Sequence, residues 1–343
     1  MPKTIPIQCN KSVSTLHVSW NQQLSQAITQ PQDLLQALNL NSIDFPDIQA
    51  AHLQFSLKVP QAYINKMQQQ NPHDPLFLQV MTQASESISV AGYNRDPVGD
   101  LQASKVPGLL HKYPGRVLLI TTAACAVHCR YCFRRHFPYN EQQAGRDQWH
   151  DALEYIKQDD SIREVILSGG DPLVLSDDKL ASLIKQLESI PHVDRLRIHS
   201  RLPVVLPDRI TDELVKLLST SRFNVCLVIH TNHANEITQP EKSALLKLRL
   251  AGIHLLNQAV LLKGINHQLD SQIALSDALY DAGVLPYYLH LLDPIEGAAH
   301  FNTDVEYALQ LIQQMRQKLA GFLVPKLVRE IAGEMSKKPA NEL

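Results

Sequence analysis

From residue 116 onward the chain alternates short β-branched or apolar runs with segments of helical period, and this alternation restricts its fold more than any other feature. The runs are RVLLITTA, EVILSGG, RLRIHS, NVCLVIH, HLLNQAVLL and LPYYLHLL. Helical segments are expected over 142–158, 177–189, 211–220, 238–251, 270–282 and 303–319. Asp177, Thr211, Thr238 and Thr303 stand where N-cap oxygens would accept orphan amide hydrogens, and Gly252 and Gly283 where a left-handed residue ends a helix. In the last segment Val305, Ala308, Leu309, Ile312 and Met315 form one apolar stripe. Strands joined by helices run mainly parallel, so the fold class is α/β, with the sheet either open and doubly wound or curled into a barrel. Six such units fall short of the eight of a closed TIM barrel. A partial, crescent-shaped (β/α)6 barrel is expected, with chemistry at the C-terminal strand ends.

Ahead of this pattern, residues 12 to 90 read as Gln-rich amphipathic helix, in NQQLSQAI, DLLQAL and PDIQAAHLQFSL, broken by Pro31, Pro46 and Pro60. GYNRDPVGDLQASKVPG then reads as a linker. Hydrophobic residues make up 44% and charged residues 19% of the 343, and the net charge of -2 creates no global field for nucleic acid or an anionic membrane. No apolar run approaches the ~20 residues that span a bilayer, and MPKTIPIQCN lacks the apolar stretch of a signal peptide. The cytoplasm is therefore the expected compartment, and the expected partners are small molecules.

Cysteines occur at 9, 125, 129, 132 and 226. Three of them form C-x3-C-x2-C in ITTAACAVHCRYCFRRHF, directly after the first strand run, and no paired framework accompanies them. In a reducing compartment such clustering points to metal rather than disulfide. Three thiolates on a [4Fe–4S] cluster leave one iron open to a small molecule. The competing reading is a closed zinc site, because His136 completes C-x3-C-x2-C-x3-H. That reading suits a small module without its own core better than a loop rooted in a large barrel. Cys9 and Cys226 read as ordinary residues, Cys226 as part of the core.

The array CxxxCxxC with an aromatic residue before its third cysteine resembles the signature of the radical S-adenosylmethionine superfamily, and CRYCFRRHF resembles the lysine 2,3-aminomutase family within it. The likeness continues through SGGDP (168–172), SRLPVVLPDRIT (200–211), HTNHANEIT (230–238), NQAVLLKGIN (257–266) and LLDPIEGAAHF (291–301), so it covers roughly residues 90 to 338. It implies a partial (β/α)6 barrel, a [4Fe–4S] cluster on Cys125, Cys129 and Cys132, S-adenosylmethionine and pyridoxal phosphate. It also implies a division into an N-terminal helical region and linker (1–105), the barrel (106–320), and a C-terminal strand with a cofactor-binding tail (321–343).

Individual positions follow from the same likeness. Ser168, Gly169, Gly170 and Asp171 match the segment that contacts the amino group of S-adenosylmethionine, though a GG pair alone is more often a tight turn. His230, Asn257 and Gln258 match S-adenosylmethionine and cofactor contacts; without the likeness they would read as satisfied core residues. Arg134 of the Arg134–Arg135 pair matches the residue that grips the substrate carboxylate, a task suited to a planar guanidinium. Lys112 and Arg116 match the clamp on the cofactor phosphate, with lysine at 112 where the family has arginine. Asp293 matches an acidic contact to the distal ammonium of lysine, and Glu330 stands where a second, aspartate in the family, is expected. Lys337 matches the lysine that forms the pyridoxal phosphate Schiff base, and Lys338 remains an alternative because the surrounding glycines are mostly replaced.

The activity implied is conversion of L-α-lysine to (R)-β-lysine, through a 5′-deoxyadenosyl radical and an aldimine, with an electron donor such as flavodoxin. The short LVREIAGEMSK ending resembles the branch that supplies β-lysine for modification of translation elongation factor P by its lysylating enzyme. A homo-oligomer is compatible with the family. Two rivals stand beside this reading: a metabolic aminomutase for lysine or another amino acid, and a zinc-stabilised binding protein without catalysis.

Overall fold

The computed structural model describes residues 18–142 and 149–343; Cys9 and part of the first expected helical segment lie outside them. A sheet of ten strands runs in sequence order: β1 (Ser104–Val106), β2 (Leu109–Tyr113), β3 (Arg116–Thr122), β4 (Glu164–Gly169), β5 (Arg195–Ser200), β6 (Asn224–Ile229), β7 (His254–Val260), β8 (Leu285–His290), β9 (Lys326–Arg329) and β10 (Lys338–Pro339). Every neighbouring pair from β3 to β9 is parallel, whereas β1, β2 and β3 pair antiparallel at one edge and β9 with β10 at the other. Among the described residues no ladder joins β10 back to β1, so the sheet is the open, partial barrel that the alternation predicts. Its edges differ from the sequence reading. The stretch taken as a linker carries a turn of helix (Asp100–Ala103) and β1, and LLHKY forms β2.

The helices between the strands fall at Asp177–Glu188, Asp212–Ser219, Gln239–Leu250, Leu269–Asp281 and Val305–Lys318, after His150–Gln158. Thr211 caps Asp212–Ser219, and Thr238 forms a capping box with Glu241, as expected. Two caps differ by one residue: Ser176 and Asp304 take the roles given to Asp177 and Thr303, because their side-chain oxygens accept the amide hydrogens. Gly252 and Gly283 have φ of 83° and 78°.

Strand alternation decides what faces the barrel interior. In β4 Val165 and Leu167 are buried under helices, while Glu164, Ile166 and Ser168 face inward; in β5 Leu196 and Ile198 are buried, while Arg197 and His199 face inward. The short helices of residues 20–78 cover the barrel, and Trp20, Leu34, Tyr63 and Phe77 join Val165, Leu196 and Leu255 in one apolar cluster. Among the described residues no helix is long and apolar enough to cross a membrane.

Glu86 fixes the segment 84–87 to the loop after β3. Its carboxylate takes Arg130 Nη2 at 2.5 Å and Arg135 Nη2 at 2.8 Å, with both partners of each pair fully shielded. Removing one member of a buried pair leaves uncompensated charge, at a cost of about 3–5 kcal/mol. Glu86→Ala is expected to lower unfolding free energy by about that amount, measured by urea denaturation; a loss below about 1 kcal/mol would show the pairs to be energetically idle.

Candidate active site

The loop after β3 carries the three cysteines at the C-terminal edge of the sheet, where it meets the turn after β4. Gly170 and Asp171 donate their amides to the Thr122 and Ala124 carbonyls at 2.7 and 2.8 Å. A Cβ on Gly170 would stand 2.3 Å from the Ala124 oxygen, and Gly169, at φ 117°, leaves only 2.7 Å to the Thr122 oxygen. The glycines therefore admit the chain's own cysteine loop. Asp171 is likewise engaged by the protein: its carboxylate accepts from Ser200 Oγ (2.7 Å) and from the amides of Leu173, Arg201 and Leu202. It braces the ends of β4 and β5.

A cavity of about 660 Å³ fills the barrel beneath this edge, a volume typical of small-molecule sites. Cys125, Cys129, Cys132, Lys112, Arg116, Arg134, Ser168, Gly169, Gly170, Asp171, His230, Gln258, Asp293, Glu330 and Lys337 all line it. Asn257 does not. Its strand neighbours Leu256 and Gln258 face the cavity, so its own side chain points the other way and clamps Thr231, accepting from the Thr231 amide at 2.9 Å and donating to its carbonyl at 3.1 Å. Lys338 also lies off the cavity, paired with Glu334 at 3.2 Å. Cys226, taken as core, lines the cavity near Glu164 and Arg197.

The cysteines are free thiols. Burial pushes the Cys132 thiol up to about 11 and the Cys125 thiol well above its ordinary value, with repulsion among the three thiolates adding to it. Such a set wants a strong cation before it ionises together. Arg201 supplies part of that charge: buried, it donates to Cys129 Sγ at 2.7 Å and to the Tyr131 hydroxyl at 2.5 Å, and pairs with Glu236 at 2.9 Å. The zinc alternative fares worse. His136 points its Nε2 at the Glu296 carbonyl, 3.2 Å away, so the fourth ligand that a closed zinc site needs is engaged elsewhere.

The charged residues form a chain of alternating sign. Arg134 Nε donates to Asp100 at 2.6 Å, Asp100 meets Lys112 at 2.5 Å, Lys112 meets Glu330 at 2.8 Å, and Glu330 accepts from Lys337 at 2.6 Å. Burial alone would raise Glu330, but Lys337 and Lys112 hold its carboxyl well below the usual range. Asp293 is helped less: burial and the charge of Glu330 push it up to about 7 against the pull of Lys337 and Lys112, and its Oδ1 has no hydrogen-bond partner among the described residues. Burial holds His230 down to about 4 and pushes His199 and His290 well below their ordinary value, each of the latter with a buried Nε2 that lacks a partner among the described residues. Asp100, Arg201, His199 and His290 escaped the sequence reading. For His199 a signal existed, since it sits two residues from Arg197 on a strand whose alternate positions face inward.

A family model described as the radical SAM superfamily matches residues 119–268. Relatives named L-lysine 2,3-aminomutase match over nearly the whole chain: 51% identity to the protein of Haemophilus influenzae and 48% to that of Escherichia coli, each alignment covering 93% of this chain and 94% of the relative. The protein of that name from Clostridium subterminale is 35% identical, over 93% of this chain and 77% of its own length. The chain belongs to the lysine 2,3-aminomutase family of radical SAM enzymes. It is thus an isomerase of the aminomutase type, and its cofactor set is a [4Fe–4S] cluster, S-adenosylmethionine and pyridoxal phosphate.

The residues present fit these groups. Three clustered free thiols suit the cluster, and the buried, unpartnered His199 Nε2, His290 Nε2 and Asp293 Oδ1 are polar atoms that await ligands. Gly170→Ala, by forcing the turn after β4 away from Ala124, is expected to reduce the iron and sulfide retained after anaerobic reconstitution to less than about half and to destabilise the fold by about 1–3 kcal/mol. Full iron content would show that the close approach does not hold the loop.

Proposed function

We propose that this protein converts L-lysine to (R)-β-lysine. The observation that carries the reading is the separation of charge across one cavity: Arg134 on the cysteine-loop side, Asp293 and Glu330 beyond the ends of β8 and β9, and Lys337 beside Glu330. When bound, the reduced cluster with S-adenosylmethionine supplies hydrogen abstraction from an unactivated carbon, and pyridoxal phosphate supplies a path for nitrogen to migrate.

The chain's own residues do the rest. Cys125, Cys129 and Cys132 would hold the cluster; His230, Gln258 and the Ser168–Asp171 segment would contact S-adenosylmethionine; Lys337 would hold pyridoxal phosphate. Arg134 is oriented by Asp100 at its Nε and by Ser168 Oγ, 3.2 Å from Nη1, which leaves its remaining N–H groups for a carboxylate. Asp293 and Glu330 receive the distal ammonium, and a glutamate-specific enzyme would need a base there instead. Burial excludes water that would quench a radical.

The further destination of the product, elongation factor P and its lysylating enzyme, is supported by the LVREIAGEMSK likeness and by the higher identity to the Haemophilus and Escherichia proteins than to the Clostridium one. A reducing cytoplasm, a flavodoxin-like donor, and the division at residues 105 and 320 belong to the same proposal.

The test is anaerobic reconstitution with S-adenosylmethionine, pyridoxal phosphate, reductant and L-lysine, followed by product analysis. β-Lysine of the R configuration is expected, and Lys337→Ala should keep the cluster absorbance but lose that of bound pyridoxal phosphate; unchanged lysine would refute the reading. Below pH 7 Asp293 is mostly neutral and attracts a cation weakly, while above it the carboxylate is charged. Accordingly kcat/KM for lysine should rise as pH passes upward through about 7, and Asp293→Asn should remove that step. A step that survives the substitution would assign it to another group.

A further inference from the structure

Lys112 stands where the family places half of a phosphate clamp, yet its ammonium is already enclosed by the protein. It donates to the Val98 carbonyl at 2.8 Å and to Glu330 Oε1 at 2.8 Å, and lies 2.5 Å from Asp100 Oδ1. Two of the ammonium's three hydrogens are taken by these hydrogen bonds, and a phosphate oxygen would have to compete with the Asp100 carboxylate for the remaining charge. Turning it toward a phosphate would strip a cation from Asp100, whose side chain is 2% exposed, and from Glu330. Uncovering buried carboxylates in this way is costly. Arg116 is placed differently: it lines the cavity with its guanidinium over the Tyr113 ring, 4.6 Å from the centroid, and forms no ion pair among the described residues.

The residue type agrees with this arrangement. A planar guanidinium matches a phosphate edge with two parallel bonds, whereas an ammonium is a compact charge whose three donors spread to separate oxygens. Bridging a carbonyl and two carboxylates is a task for the second. The outer oxygens of those carboxylates reach Arg134 and Lys337, so Lys112 is the central link between the two ends of the site.

We infer that Lys112 is a positioning residue that ties the carboxylate-binding end to the ammonium-binding end, and that Arg116 holds the cofactor phosphate without it. The inference rests on the proposed lysine and pyridoxal phosphate reading. It also explains why lysine can stand at a position where the family has arginine.

The experiment titrates pyridoxal phosphate into the reconstituted full-length protein by fluorescence and compares Lys112→Gln, Lys112→Arg and Arg116→Gln with wild type. Loss of a charged hydrogen bond to phosphate should weaken binding by at least about tenfold, and this is expected for Arg116→Gln alone; Lys112→Gln should stay within about threefold. In turnover, Lys112→Gln should raise KM for lysine by about tenfold with kcat within about threefold, and Lys112→Arg should recover most of the loss. If Lys112→Gln weakens cofactor binding as much as Arg116→Gln does, or lowers kcat at unchanged KM, the inference is wrong. Should the glutamine protein not fold, Lys112→Arg decides: a phosphate ligand would bind the cofactor more tightly with the fork, whereas a positioning residue leaves its affinity unchanged. Wild-type protein that binds the cofactor but leaves lysine unchanged would overturn the proposed function, while the cofactor titrations would still judge Lys112.

Discussion

Buried arginine–carboxylate pairs hold the site together. Among the described residues the cysteine loop has no ladder of its own, and three of its arginines carry it into the body of the protein: Arg130 and Arg135 share Glu86, and Arg134 meets Asp100. Arg201 completes the enclosure from the end of β5, reaching Glu236, Gln79 and Tyr63 on one side and Cys129 on the other. Ion pairs so deeply buried contribute little net stability compared with apolar packing, but they make misplacement expensive. A loop that must present three thiols in fixed relation benefits from that intolerance.

On the proposed reading, the same charges suit the cavity to a zwitterionic ligand with a second ammonium. The run from Arg134 through Asp100, Lys112 and Glu330 to Lys337 compensates each charge with the next, leaving Asp293 as an acidic group raised chiefly by burial, whose buried Oδ1 has no hydrogen-bond partner among the described residues. Neutral His199, His230 and His290 line the space between, adding hydrogen-bonding capacity without charge.

What the sequence made legible is what depends on local pattern. Strand and helix alternation, the Thr211 and Thr238 caps and the left-handed Gly252 and Gly283 are all written within a few residues of where they act. The edge strands β1 and β2 were not, because SKV and LLHKY are too short and too mixed to differ from a linker until β2 pairs with β3 and β1 with β2. Asn257 was assigned to the site beside Gln258, although adjacent residues on a strand face opposite sides. Glu86 and Asp100 carry no local signal at all: the two arginines of Glu86 lie 44 and 49 residues away in the chain and that of Asp100 lies 34 away, and only the fold shows that a carboxylate meets each one.

The central claim is that Cys125, Cys129 and Cys132 hold a cluster with one iron left open at the mouth of the partial barrel. Mössbauer spectroscopy of anaerobically reconstituted protein, enriched in the iron isotope it detects, tests this directly. A [4Fe–4S] spectrum in which one iron alone responds to S-adenosylmethionine is the expected result. A spectrum indifferent to S-adenosylmethionine, or protein that takes up a single zinc ion in place of iron, would contradict the account.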